Sequence, residues 1–304
     1  MFRLSYRASC RILAGCILLF IFLINKNLSH RVLFRHPPAD LTLVEPIPQK
    51  IWQIYFPPEG GDHHDQLRYV DEWKKNSKDF TYTLVGDELG DAFVSEHFDA
   101  EVAKTYKLLR NPAMKSDFLR YLLLSAEGGY YSDLDTRPVK PLDEWLPLEY
   151  KSRIRLMIAP EHDDGINSLG KWPHPVQFCQ WTIVAAPGHL ALKQMVRRAL
   201  EGLQDLAAVQ GVEINDLRPS SAQVWNATGP PAWTEVIFEN IKKAAPEIQT
   251  YHDLSRFAEP RVFGDILLLP MDAFMTLSAE MRVLEGAGSH QLVHHDFAGA
   301  WKTS

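Results

Sequence analysis

Apolar and polar positions switch between two periods along most of the chain. Residues 50–56 (KIWQIYF) form a β-branched and aromatic run, entered after Pro48 and closed by Pro57 and Pro58, and they predict a first strand. Residues 65–75 have helical spacing, 81–85 (TYTLV) predict a second strand closed by Gly86 and Asp87, and 88–98 predict another helix. The clearest helix is 116–127, where Phe118, Leu119, Leu122, Leu123 and Ala126 make an apolar stripe. Gly128-Gly129 should end it in a left-handed cap, with a strand following at 130–134. Further strands are expected at 156–159, 181–186, 262–269 and 291–294, and long amphipathic helices at 188–209 and 233–245. Strands alternating with helices imply an α/β domain with parallel members in its sheet.

The front of the chain breaks this pattern. Residues 12–24 (ILAGCILLFIFLI) contain no charge, with Arg3, Arg7 and Arg11 before them and Lys26 after. A full membrane span takes about 17–25 residues, and Arg11 and Lys26 can snorkel to extend a shorter one. No small-residue cleavage pattern follows in Asn25, Lys26, Asn27 and Leu28. The expectation is an uncleaved anchor with the body in the lumen of the early secretory pathway. The implied organisation is a cytosolic tail at 1–11, an anchor at 12–24, a Pro-rich stem at 25–46 and a folded domain at 47–304.

Composition sharpens the division. With 304 residues, 46% hydrophobic, 23% charged and three cysteines, the chain is neither disordered nor a disulfide scaffold. The net charge of −6 conceals a head (1–36) with six bases and no acid, which leaves 26 bases against 38 acids behind it. An acidic body argues against nucleic acid as a partner. Asn226-Ala227-Thr228 is a glycosylation sequon, usable only in the lumen.

The candidate chemistry lies in Tyr130-Tyr131-Ser132-Asp133-Leu134-Asp135. In an extended strand Asp133 and Asp135 share a face with Tyr131. Two adjacent carboxylates repel unless a cation neutralises them, and a hard divalent ion with oxygen ligands suits the pair. Asp117 and Arg120, at i and i+3, share a helix face opposite the main apolar stripe. The Gly-Gly turn brings that helix back onto the acidic strand. Arg120 can approach phosphate, and Asp117 can accept from sugar hydroxyls.

These residues carry a resemblance. Ser116-Asp117-Phe118-Leu119-Arg120 followed by Gly128-Gly129-Tyr130-Tyr131-Ser132-Asp133-Leu134-Asp135 resembles glycosyltransferase family 32, whose S/A-D-x-x-R…G-G-x-Y-x-D-x-D block is shared with glucosylating clostridial toxins. Ile47 to Gln53 looks like the family's opening strand. Gln177 to Thr182, Pro187-Gly188-His189, Thr228-Gly229-Pro230, Trp233-Thr234 and the ending 294–302 look like the fungal initiation-specific α-1,6-mannosyltransferases. The resemblance implies a GT-A-type fold, a nucleotide-sugar-binding mixed sheet flanked by helices. It also implies Mn²⁺ dependence, GDP-mannose as donor, a glycan acceptor, retention at the anomeric carbon and a Golgi type II membrane location. Asp133 and Asp135 would hold the metal and diphosphate. Asp117 and Arg120 would bind the donor, Tyr131 would support the diphosphate, and His295 and Trp301 would close the pocket. Two departures stand out: Ala300 where the family often has Ser, and Pro231 where relatives often have Gly.

Other residues add less. Glu161, Asp163 and Asp164 read as solvated loop acids, no nucleophile is identifiable by spacing, and same-face attack is therefore expected. The adjacent pairs His63-His64 and His294-His295 lack zinc-site spacing. Periodicity does not separate core from sugar-stacking roles for Trp52, Trp73, Trp172, Trp181, Trp225 and Trp233, and most of them are expected in the core. The alternatives are a mannosyltransferase acting on an inositol sphingolipid and a non-catalytic subunit of a mannosyltransferase complex; the intact acidic motif, Asp117 and Arg120 speak against the second.

Overall fold

The computed structural model describes residues 45–57, 64–165, 172–276 and 290–298. Its first strand, β1 (Lys50–Ile54), pairs in parallel with β2 (Thr81–Val85), as the two apolar runs predict. Between them the expected helix at 65–75 divides into a 3₁₀ turn (His64–Leu67) and a short helix α1 (Val70–Lys75). Helix α2 (Asp87–His97) follows β2, and then α3 (Ala100–Leu108), which the hydrophobic pattern did not reveal. Its start is marked by Asp99, whose carboxylate accepts from the backbone N–H groups of Glu101 and Val102 at 3.0 Å.

Helix α4 (Pro112–Glu127) begins a turn earlier than the apolar stripe suggested. Pro112 occupies its first turn and the Asn111 side chain caps Met114 N–H at 3.0 Å. Gly128 ends the helix with φ +64°, but its ψ of −164° lies outside the left-handed helical region, so the expected left-handed cap is not formed. The reversal still requires glycine: a Cβ at Gly128 would lie 2.6 Å from Pro187 N and 2.7 Å from Ala185 O. This turn delivers the chain into β3 (Gly129–Ser132) and, after three residues, β4 (Thr136–Pro138).

The remaining elements are α5 (Leu148–Lys151), β5 (Leu156–Ile158), β6 (Pro160–Asp163), β7 (Val176–Phe178), β8 (Thr182–Ala185), α6 (Leu190–Gln210), α7 (Ser221–Ala227), α8 (Pro230–Ala244), β9 (Arg261–Phe263), β10 (Ile266–Leu268) and β11 (Val293–His295). The single strand expected at 262–269 is a hairpin, β9–β10, reversing at Gly264 with φ +61°.

Seven strands form one mixed sheet in the order β2-β1-β3-β8-β5-β10-β9. Pairings β1–β2, β1–β3 and β5–β10 are parallel; β3–β8, β5–β8 and β9–β10 are antiparallel. Strand alternation sends Trp52, Tyr131, Leu156, Ile183 and Leu268 into one core, with α4, α6 and α8. It sends Ile51, Tyr130, Met157, Val184 and Leu267 into a second core with Trp73, Trp145 and Phe274. The inner strands are thus covered on both faces, which is why they read as continuous apolar runs. This is a mixed α/β fold with helices flanking a central sheet. None of the described helices is long and apolar enough to cross a membrane, and the anchor expected at 12–24 lies outside the described residues.

Candidate functional site

The acidic motif sits where β3 gives out. The strand stops at Ser132, and Asp133, Leu134 and Asp135 form the turn into β4. The expectation that strand alternation aligns the two carboxylates is therefore corrected: a turn brings them together. That turn is held from beneath. Gln53 Nε2, fully buried on β1, donates to the carbonyls of Ser132 (3.3 Å) and Asp133 (3.1 Å), and Asp133 N–H donates to Trp181 O at 2.9 Å.

Strand β11 then pairs antiparallel with β4 and sets His295 opposite Thr136. His295 Nε2 lies 3.0 Å from Asp135 Oδ1, and the Ala298 N–H donates to Asp135 Oδ2 at 2.9 Å. The imidazole packs against Trp181 (4.3 Å between centroids) and Phe297 (4.0 Å). Its Nδ1 is buried without a hydrogen-bond partner. Candidate ligand atoms of Asp133, Asp135 and His295 all lie within 4.8 Å of one another. Two carboxylates with one imidazole, whose Nε2 faces them, fit a divalent cation. His294, its neighbour, instead contacts Thr276 Oγ1 at 2.8 Å and Asp296 at 3.3 Å.

Asp117 and Arg120 are brought to the same place, but not on a solvent face. Both are buried, at 5% and 4% exposure, and meet at 2.9 Å. The Arg120 guanidinium also lies 3.4 Å from Asp133, donates to Gln180 O at 3.2 Å and sits over the Tyr131 ring at 4.8 Å. Tyr131 donates its hydroxyl proton to Asp133 Oδ1 at 2.5 Å. Arg120 thus links the helix acid to the acidic turn. Asp117 accepts further from Gln180 Nε2 and Thr228 Oγ1, both at 3.0 Å. A carboxylate offers about four acceptor positions, so three donors leave Asp117 one for a ligand hydroxyl. Gln180 and Thr228 belong to the motifs quoted for the resemblance, yet no spacing rule assigns them to this wall.

Burial sets the electrostatics. It pushes the Asp117 carboxyl up to about 6, against the opposing influence of Arg120, Thr228 and Gln180. It also raises Asp133, partly countered by Arg120. Burial acts in the same sense on Asp135, but the hydrogen bond and charge of His295 and the Ala298 N–H bring that group below its ordinary value. The Arg120 guanidinium is opposed by burial and held above its ordinary value by Asp133, Tyr131 and Asp117, so it is a fixed cation.

Glu161 is the acid that sequence reasoning placed wrongly. It is part-buried beside the site rather than solvated, and accepts from Gln177 Nε2 at 2.7 Å. Burial pushes its carboxyl up to about 7, against the influence of Gln177 and His295. Asp163 is a loop staple, accepting from Ser255 Oγ (2.6 Å) and the N–H groups of Gly165 (2.8 Å) and Arg256 (2.6 Å). Asn226 is exposed on α7. Trp301 and Ala300 lie outside the described residues, as do His63 and the His64 side chain.

Residues 63–151 match the family described as a glycosyltransferase sugar-binding region containing a DXD motif, which covers α4 and the acidic turn. An initiation-specific alpha-1,6-mannosyltransferase of Schizosaccharomyces pombe is 34% identical over 262 residues, spanning 84% of this chain and 64% of that protein. The Candida albicans protein of the same name is 27% identical over 288 residues, 85% of this chain and 73% of that one. The chain thus spans somewhat less than two thirds of the S. pombe relative's length. A solved structure titled PaToxG Glycosyltransferase aligns with 15% identity and a TM-score of 0.46, over 67% of this chain and 73% of that one. The resemblance to glycosyltransferase family 32 read from the sequence is borne out.

Proposed function

We propose, taking a chain with the DXD-containing glycosyltransferase sugar-binding region as the premise, that the protein is a retaining mannosyltransferase. It moves mannose from GDP-mannose to a mannosyl acceptor, forming an α-1,6 linkage on N-glycan cores. The observation that carries this reading is the meeting of the Asp117–Arg120 pair with the Asp133, Asp135 and His295 cluster, in a chain whose relatives are named α-1,6-mannosyltransferases. The wider proposal is a GT-A-type domain at 47–304, behind a tail at 1–11, an anchor at 12–24 and a stem at 25–46. The protein would be a Golgi type II membrane protein with Asn226 glycosylated in the lumen; the exposed position of Asn226 supports that last element.

Asp133, Asp135 and His295 are the residues that would hold Mn²⁺. Bound there, the cation supplies Lewis-acid stabilisation of the diphosphate leaving group. Arg120 places a permanent positive charge beside the same turn, where negative charge grows on the leaving group. Asp117, with its remaining acceptor position, takes a donor hydroxyl. Tyr131 holds Asp133 by its hydroxyl and lies under Arg120, and so orients both. Retention follows from same-face attack by the acceptor hydroxyl on the anomeric carbon, the proton leaving with the GDP phosphate. The test is transfer of labelled mannose by the full chain from GDP-mannose to a high-mannose acceptor in Mn²⁺, with UDP-glucose and UDP-galactose as competing donors. Transfer confined to GDP-mannose supports the reading; preference for a UDP-sugar overturns it.

A further inference from the structure

Strands β6 and β7 form a hairpin outside the seven-stranded sheet, and their register slips between Pro160 and His162. The extra residue at that bulge is Glu161. Bulges re-aim a side chain and concentrate beside active sites. Here the bulge is steadied by Gln177 of β7, whose Nε2 donates to Glu161 Oε1 at 2.7 Å. Gln177 is fully buried, and its own Oε1 has no hydrogen-bond partner. One carboxylate and one unpaired amide oxygen therefore stand together, both acceptors, within the influence of His295 and Asp133. Two acceptors suit hydroxyl donors; anionic phosphate would be repelled.

The next residue in the hairpin leads to an aromatic wall. His162 leans on Trp172 at 4.7 Å between centroids, and Trp172 stacks on Trp225 at 5.6 Å with planes 5° apart. Both indoles keep part of their surface exposed, unlike Trp73 and Trp233, which are fully buried. Trp225 lies one helical turn before Thr228, which holds Asp117. An aromatic face beside hydroxyl-accepting side chains is the chemistry that binds a saccharide ring.

We propose that Glu161 and Gln177, with the Trp172–Trp225 stack reached through the neighbouring His162, form the acceptor-sugar subsite, in which Glu161 accepts a hydrogen bond from an acceptor hydroxyl other than the attacking one and so holds the acceptor in place. This rests on the glycosyl-transfer reading above and adds to it the residues that select the second substrate. No bond to Glu161 forms: the acceptor oxygen joins the anomeric carbon as the sugar–phosphate bond breaks, and the hydroxyl proton goes to the departing phosphate.

The experiment compares Glu161→Gln and Trp172→Ala with the wild-type full chain. It measures mannose transfer to a mannooligosaccharide, hydrolysis of GDP-mannose by water, and GDP-mannose affinity by calorimetry. Expected for Glu161→Gln is a fall of at least tenfold in the ratio of transfer to hydrolysis. Expected for Trp172→Ala is an acceptor KM raised at least fivefold with kcat held within twofold. Equal losses of transfer and hydrolysis, or a parallel loss of GDP-mannose affinity, would make Glu161 a donor-side or structural residue and overturn the proposal. An undiminished transfer ratio and acceptor KM would overturn it as well. A wild-type protein that binds GDP-mannose but transfers to no saccharide would instead bring down the glycosyl-transfer reading, and the subsite with it.

Discussion

His295 Nε2 stands 3.0 Å from Asp135 Oδ1, a contact that closes a loop of 160 residues and joins β11 to the acidic turn. The same imidazole completes the only three-residue cluster of candidate metal ligands among the described residues. Replacing it by alanine should weaken Mn²⁺ binding at least about tenfold, the scale on which even outer-shell partners of a metal act. Titration of the variant with Mn²⁺ by calorimetry or paramagnetic resonance checks this. An affinity equal to wild type would remove His295 from the ligand set.

Asp133 offers a separation of activity from stability. Its ionised form is disfavoured by burial and by the neighbouring Asp135 charge, with Arg120 acting in opposition. Asp133→Asn keeps an acceptor for Tyr131 and removes a carboxylate the fold tolerates poorly. Unfolding of the cation-free protein at pH 7.5 should therefore change by no more than about 1 kcal/mol. Activity should fall at least about a hundredfold, since metal-assisted charge stabilisation is worth several kcal/mol. A large stability loss would make the residue chiefly structural.

Arg120 should behave in the opposite way. Removing it leaves the buried Asp117 and the part-buried Asp133 without their shared cation. Arg120→Met should cost about 3–5 kcal/mol in urea unfolding, the usual scale for breaking a buried pair from one side. Lysine should not restore either stability or turnover, because it cannot span Asp117, Asp133 and the Gln180 carbonyl from one planar group. Full rescue by lysine would contradict this geometry.

Glu161 carries a pH signature. Its folded-state pKa of about 7 lies above the ordinary 4.5, with burial as the main cause and Gln177 and His295 opposing. Between those values the folded chain binds more protons than the unfolded one, so its stability falls as pH rises through the window. Glu161→Gln has no such ionisation. The stability of the variant relative to wild type should therefore climb from pH 4.5 to 7, by on the order of 3 kcal/mol at most. Urea unfolding at unit pH steps measures it, and a pH-independent difference would place Glu161 at its ordinary pKa.

The Gly128 turn ties fold to site, because it folds α4 back onto β3 and so brings Arg120 to Asp133. Gly128→Ala should cost at least about 1–3 kcal/mol from the positive φ alone, with a further penalty from the 2.6 Å approach of Pro187 N. Soluble yield and thermal unfolding report it. A variant as stable as wild type would show that the turn has another low-energy path.

Elements whose period matched their burial were legible in the sequence. β1, α4 and β8 are apolar runs or stripes whose burial writes itself into composition, and β2, part-exposed at the sheet edge, was legible from its β-branched and aromatic residues. Helix α3 was not, because its interior residues Val102, Thr105 and Tyr106 make a thin stripe and the strongest signal is the Asp99 cap. The β9–β10 hairpin was read as one strand because a single Gly264 carries the reversal. At the site, Asp117, Arg120, Asp133 and Asp135 could be paired through a local turn of two glycines. Gln180, Thr228, His295 as a ligand candidate, and Glu161 are set by long-range contacts, such as Thr228 to Asp117 across 111 residues, that no local period encodes.

The central claim is that the acidic turn assembles a metal-dependent mannosyl-transfer site with Arg120 and Asp117. Its most direct measurement is the rate of mannose transfer from GDP-mannose by the full-length protein, before and after chelation, in wild type and in Asp135→Asn. The expected result is transfer that is abolished by chelation, restored by Mn²⁺ in wild type, and at least about a hundredfold lower in the variant at saturating Mn²⁺. Transfer that persists undiminished after chelation, or in Asp135→Asn, would contradict the account.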